Sequence, residues 1–433
     1  NTNSGSGSLE ASDFALSISG GTATLSSSTP TDISANGNVY TLDIGLTGTP
    51  DGAEVLEVVP VDDGIYDAAG NEASTSQSNN TATLNDQLLP TITGVALAAD
   101  NSTIAVTFSE GVYNTNSGSG SLEASDFALS ITSGTATVAI TPGTIASNGN
   151  VYTLGIDLTG TPDGAEVLKV VPVENEIYDA VGNVASTTQS NNTVTLNDKL
   201  APTIFQQIPV VTPENVSTPD YTFYTDEEGA ITYGGSASSS TTTASLGDNT
   251  ITFNTLVDGT YSDVTITVTD AANNESNTLA VTEFIIDLTA PTITGVALAA
   301  DNSTIAVTFN EPVYISNGSP LERSDFSFSL GESSGLGTVE LSGATPTSIA
   351  SSGNVYTLGI GLTNTPDGSE LLTVNPVDNG IYDAVGNEAI TSQSNNTHLL
   401  YDKLEPTLDP NDIVVKQTVQ IVEPDTITLT FSE

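Results

Sequence analysis

The chain has 433 residues, and its 53 acidic against 5 basic side chains give a formal charge of −48. Such a surface repels other polyanions and excludes nucleic acid as a ready partner. The absence of cysteine excludes disulfides, thiolate metal sites and thiol nucleophiles. Two uses remain for the acids: a solvated surface suited to a saline medium, which accounts for most of them, and carboxylates that collect divalent cations where they recur at turns and hinges. No signal peptide, transmembrane run or initiator Met is visible, so the chain reads as a processed or excerpted part of something longer.

Internal repetition sets the order of elements. NTNSGSGSLEASDFALSI at Asn1 recurs at Asn114, with a looser echo from Tyr314, and GNVYTL begins at Gly37, Gly149 and Gly353. TPDG follows at Thr49, Thr161 and Thr365, and IYDAxGN at Ile65, Ile177 and Ile381. Acidic, Pro-punctuated hinges close the copies at Asn85, Asn197 and Tyr401, and a different unit ends in IDLTAPTI at Ile286. The predicted layout is a partial unit (1-89), a full unit (90-200), a divergent unit (201-289), a full unit (290-404) and the first strands of a further unit (405-433). ITLTFSE at Ile427 to Glu433 matches IAVTFSE at Ile104 to Glu110, so the repeat frame is cut inside a unit and the first unit is expected to lack its first two strands.

Alternation predicts strands. Ile104, Val106 and Phe108 share one face, as do Tyr152, Leu154, Ile156 and Leu158, and Val264, Ile266 and Val268 in the divergent unit. Turns come from Pro-Asp-Gly, Asn-Gly and Gly-Asn, and helical periodicity is lacking. Short strands with frequent turns predict an all-β fold of tandem Ig-like β-sandwich domains, and tandem copies predict an elongated rod.

VTFSE (Val106 to Glu110), VTFNE (Val307 to Glu311), SDF at Asp126 and Asp325, and the YDAxGN loops resemble bacterial Ig-like repeats of large surface adhesins and S-layer-associated proteins. In the divergent unit the resemblance rests on Thr218 to Gly235 and Asp258 to Ser276. It implies sandwiches of about seven strands serving as a stalk or filament at the bacterial cell surface, outside the cell. Richness in Thr, Ser, Asn and Gly with little Lys fits the same location.

Ig-like strand order then places the acids. The second strand delivers Glu110 or Glu311 to the hinge pole, the last hairpin brings Asp179 and Asn183 or Asp383 and Asn387 there, and the hinge adds Asp86 or Asp287. Asp198, Asp226, Glu227, Asp270 and Asn273 form the analogous set at the divergent unit. Asp67 and Asn71 hold the same places in the first unit, with the matching hinge Asp and Glu found in the tail at Asp402 and Glu433. Oxygen ligands converging from separate segments suit Ca²⁺, which takes six to eight oxygens without strict angles. The competing reading is that DAxGN only makes its turn and the hinge Asp only caps a strand end. Asp62-Asp63-Gly64 lacks EF-hand spacing.

Nothing in the sequence singles out a catalytic group, and the expectation is no enzyme. His398 stands where sister units have Ala82 and Val194, so it reads as a strand substitution. The NSGSGS run at Asn116 precedes no helix and no Lys, and so is a loop. Triplets such as Asn101-Ser102-Thr103 and Asn191-Asn192-Thr193 are chance sequons, and Tyr221, Phe223, Tyr224 and Tyr233 are assigned to the core and edge of the divergent unit. The predicted function is a rod or spacer with calcium-stiffened junctions, continuing head-to-tail either as one long chain or by strand complementation between copies. A glycan- or host-binding adhesin module, or an accessory region of a secreted hydrolase, is the alternative.

Overall fold

The computed structural model describes residues 2–331, 339–407, 414–416 and 426–429. The chain divides into two compact units, Asn1–Leu200 and Ala201–Glu433. Among the described residues both are built of antiparallel β-strands, with only short 3-10 turns at Ala11–Asp13, Ala124–Asp126 and Arg323–Asp325. The all-β reading therefore holds.

In residues 90–200 one sheet runs in the order Ile145–Asn148, Val151–Gly155, Thr103–Phe108, Ile92–Leu97. A second runs Phe127–Thr132, Val167–Pro172, Thr193–Thr195, and a two-stranded ribbon pairs Thr137–Val138 with Leu158–Thr159. Alternation in TIAVTF becomes burial: Ile104 and Val106 are fully enclosed, and share one core with Leu154 on the neighbouring strand of the same sheet, with Leu168 and Val170 of the second sheet, and with Ile177. Phe108, Phe127 and Tyr152 close one end of this core, with Phe108 edge-on to Tyr152 at 5.9 Å. Residues 290–404 repeat the arrangement, with Phe309, Phe326 and Tyr356 in the same places.

The divergent segment packs Ile204–Ile208, Asp220–Thr225 and Gly247–Thr252 against a four-stranded sheet centred on Gly229–Gly234 and Thr265–Thr269. Tyr221 and Phe223 are core residues there. Tyr224 instead faces outward and stacks on the half-exposed ring of Phe205 at 4.9 Å. Each sandwich fastens the start of its first strand with a side-chain amide: Gln189 accepts the Ile92 N–H at 2.8 Å, Gln393 that of Ile293 at 2.9 Å, and Asn277 that of Ile204 at 3.0 Å.

Residues 1–89 carry the three-stranded sheet Phe14–Ser19, Val55–Pro60, Thr81–Thr83, the hairpin Asp32–Asn36 with Val39–Asp43, and the ribbon Thr24–Leu25 with Leu46–Thr47. Among the described residues the hairpin has no further strand. Tyr40 is accordingly 39% exposed where its counterpart Tyr152 is 7%.

One feature of the fold escaped the sequence reading. Glu54, Glu166 and Glu370, each following a Pro-Asp-Gly turn, are almost completely buried. Their carboxylates accept backbone N–H groups: Thr22, Ala23 and Asp51 donate to Glu54, and Thr135, Ala136 and Asp163 to Glu166. Burial opposes ionisation, yet these amide donors win and bring the Glu54 carboxyl down to about 2 from an ordinary 4.5. A depressed folded value means that the contribution to stability is complete above pH 4.5 and is lost as pH falls towards 2. Acid titration followed by circular dichroism is expected to show stability declining across that window, and Glu54→Gln to flatten the decline.

Candidate metal centre

In the unit Asn1–Leu200 the hinge is held against the end of the second strand by two hydrogen bonds. Ser109 N–H donates to the Thr91 carbonyl at 2.8 Å and Thr91 N–H to Ser109 Oγ at 3.1 Å. This zipper fixes Asp86 on one side and Glu110 on the other. The chain after Glu110 then exchanges backbone hydrogen bonds between Tyr113 and Tyr178 at 2.7 and 2.8 Å, which docks the DAVGN loop at the same pole. Oxygens of Asp86, Glu110 and Asp179 all lie within 4.8 Å of one another.

Asp179 is fully buried and has two tasks. Its Oδ1 accepts the N–H groups of Val181, Gly182 and Asn183 at 2.7 to 2.9 Å, which makes the turn. Its Oδ2 accepts the Asn183 amide at 2.7 Å, and the same amide donates to the Asp86 carbonyl at 3.3 Å. The turn-making role and the convergence of carboxylates thus coexist in one side chain. Asn183 presents N–H to both neighbours, so here it clamps loop to hinge.

Residues 290–404 with their hinge rebuild this geometry in the other unit. Asp287, Glu311 and Asp383 again bring oxygens within 4.8 Å, and the Asn387 amide donates to the Asp287 carbonyl at 2.9 Å and to Asp383 at 2.7 Å. Asn310 takes the part of Ser109, accepting Thr292 N–H at 2.7 Å.

Three carboxylates this close repel by roughly 3 kcal/mol per ionised pair at an effective dielectric near 20. Glu110 responds: burial first, then the Asp179 and Asp86 charges, push its carboxyl up to about 6. Glu311 is raised too, by burial and then by Asp383 and Asp287, against a lowering hydrogen bond from Asn310. The Lys199 ammonium acts on Asp100, outside the first cluster. A hard divalent cation would relieve this repulsion, and carboxylate oxygens with nearby backbone carbonyls are the donors it prefers.

Glu227 and Asp270 of the divergent segment bring oxygens within 4.8 Å of each other. Asp226 corresponds instead to Ser109, because its Oδ1 accepts Thr203 N–H at 2.6 Å and so closes the strand start. Asn274, and not Asn273, takes the clamp position, donating from backbone and side chain to Asp270 at 2.8 Å. Asn273 fills the positive-φ position held by Gly182 in the sister loop, at φ 68°. Asp198 and Asp402 accept N–H groups two residues ahead, from Leu200 and Leu404, at 2.9 and 2.8 Å. Asp67 and Asn71 make the same loop bonds as their counterparts but are exposed, and Glu433 lies outside the described residues. His398 sits on the strand Thr397–Leu399, with Nδ1 at 2.7 Å from the Leu399 carbonyl.

No protein-family model matches the chain, and no curated protein does. The N-terminal part of the bacterial S-layer protein SbsC is 17% identical over 46% of this chain and 44% of its own, with a TM-score of 0.20. This match spans less than half of the S-layer chain. A Bacteroides ovatus mixed-linkage glucan utilization protein, SGBP-B, in complex with a heptasaccharide, is 14% identical over 86% and 89%, with a TM-score of 0.15. The BSP domain of a biofilm-associated protein is 11% identical over 88% and 90%, with a TM-score of 0.16. None superposes closely enough to carry an argument.

Proposed function

We propose that the chain is a structural repeat segment of a bacterial extracellular adhesin or filament, a rod or spacer whose junctions are stiffened by Ca²⁺ and which continues head-to-tail. The observation that carries this reading is the rebuilding of one three-carboxylate geometry at two hinges, Asp86 with Glu110 and Asp179, and Asp287 with Glu311 and Asp383. A solvated acidic coat has no reason to place the same three segments twice at the same pole. An ion shared by hinge, strand end and DAVGN loop ties a repeat to the linker that enters it and restricts bending there. Nearly identical turn-like loops suit a spacer better than a specialised binding tip. The reading gives the chain no catalysis and its lone histidine no chemical part.

Equilibrium dialysis against radioactive calcium tests it. The double variant Glu110→Gln, Glu311→Gln is expected to bind fewer ions than the parent chain while keeping its β-sheet spectrum. Equal binding by parent and variant sinks the proposal for these two hinges.

A further inference from the structure

We propose that the hinges entering residues 90–200 and 290–404 are locked by their own backbone, with no ion required, and that the amides of Asn183 and Asn387 are the latches. This goes beyond the calcium reading and does not depend on it. The carboxylates at each junction join the hinge to the repeat that follows, through Glu110 and Asp179 or Glu311 and Asp383. Blocking a bend also requires a hold from the preceding side, and there the ties are of a different kind.

In the unit Asn1–Leu200 the hinge runs from Leu84, after the strand Thr81–Thr83, to Thr91, before the strand Ile92–Leu97. Residues 1–89 hold its first half. Leu84 N–H donates to the Glu54 carbonyl at 3.0 Å and Gln87 N–H to the Pro50 carbonyl at 2.9 Å. Gly52 of the Pro-Asp-Gly turn lies so close that a Cβ on it would come within 3.1 Å of the Asp86 Cβ. Residues 90–200 hold the second half through Ser109 and Gln189, which fix Thr91 and Ile92. They also reach back to Asp86, whose carbonyl accepts the Asn183 amide at 3.3 Å. The two sets of ties therefore overlap. The carbonyl of Asp86 and the N–H of Gln87 belong to one peptide group, which is planar and resists rotation. One rigid plane is bonded through its oxygen to the following sandwich and through its nitrogen to the preceding one.

The other unit reaches the same result with different residues. Asp287 N–H donates to the Glu214 carbonyl of the divergent segment at 3.0 Å, and the Asp287 carbonyl accepts the Asn387 amide of the following repeat at 2.9 Å. Asp258 adds a second tie from the divergent segment, accepting Leu288 N–H and the Thr289 hydroxyl. Asn310 and Gln393 fix Thr292 and Ile293 from the following side. In both hinges the ties from the two sides meet, at Asp86 with Gln87 or at Asp287, so a bend has to break one of them. Without the Asn183 amide the last tie to the preceding sandwich is at Gln87 and the first to the following one at Thr91. Leu88, Leu89 and Pro90 then form a free stretch, the condition in which a linker bends. Leu88 and Leu89 are exposed, so apolar packing does not stand in for the lost bond.

The chain contains no cysteine, so spin labels at Thr81→Cys and Thr193→Cys, exposed strand residues on either side of the first hinge, are its sole labelled sites. Double electron–electron resonance on the whole chain in chelator is expected to give a narrow distance distribution. Asn183→Ala should broaden that distribution by about twofold, as Leu88 to Pro90 come free. Asn71→Ala removes the corresponding loop bond, to Asp67, away from the hinge, and should leave the width unchanged. Asn387→Ala, read with labels at Thr243→Cys and Thr397→Cys, repeats the test at the other hinge. A distribution already broad with both latches in place overturns the proposal. So does one that stays narrow in both Asn183→Ala and Asn387→Ala, or one that Asn71→Ala broadens equally. No ion is present in these measurements, so their outcome and that of the calcium dialysis are independent.

Discussion

Glu166→Gln is expected to lower the stability of its sandwich by about 2–4 kcal/mol, seen as a fall of roughly 10–20 °C in the melting midpoint of that sandwich. The two oxygens of Glu166 receive Thr135 and Ala136 N–H at 2.8 and 2.9 Å and Asp163 N–H at 3.1 Å, inside a site with no exposure. Glutamine has the same shape but only one acceptor, and its NH₂ must face a backbone donor. At least one buried N–H then loses its partner, and the surviving bonds lose the assistance of charge. The pocket has no slack to absorb this. A Cβ on Gly134, which has φ +70°, would come within 2.3 Å of the Glu166 carboxyl carbon, so that glycine is required both for its backbone conformation and for the approach of the carboxylate. Differential scanning calorimetry of the single variant measures the loss.

That glutamate also shows where sequence reading stopped. TPDG is so plain a turn signal that the Glu two residues beyond it passed as one more acid among 53. A usable clue was present: Glu166, Leu168 and Val170 fall on one face of a period-two strand, a charge on the buried side, and Glu54 and Glu370 repeat it. The strands themselves were legible because sandwich burial imposes strict alternation, and TIAVTF shows it as three enclosed residues in six. Convergence of Asp86, Glu110 and Asp179 followed from strand order alone, since strand direction decides which pole a residue reaches. Offsets of a single residue were not legible. Asn273 and Asn274 are chemically identical in the sequence, and only the positive φ of the first and the hydrogen bonds of the second tell them apart. Asp226 belongs to the set of acids that the sequence offers at the divergent segment, yet it lies in the bend after the strand Asp220–Thr225, and its carboxylate closes the strand start at Thr203.

Calcium is expected to have the second large effect. Without an ion, Glu110 in the folded chain holds its proton up to about 6, above its ordinary 4.5. The folded state therefore binds that proton more tightly than the unfolded state, and stability falls as pH rises from 4.5 through 6. Above that range Glu110 is ionised and the repulsion it meets from the neighbouring carboxylates is uncompensated. An ion at the hinge replaces the proton, so calcium should remove this slope and stabilise most at neutral pH. At a concentration a hundredfold above its dissociation constant, a ligand bound only by the folded state adds about 2.7 kcal/mol. For sandwiches of this size that corresponds to a rise of roughly 10 °C. Mg²⁺ demands near-ideal octahedral geometry and keeps its waters, so it should give a smaller rise.

Thermal unfolding of the whole chain at neutral pH, in calcium and in chelator at matched ionic strength, tests the junction reading most directly. The account predicts a midpoint higher by roughly 10 °C in calcium, a shift reduced by Glu110→Gln with Glu311→Gln. Coincident melting curves in calcium and chelator would contradict it.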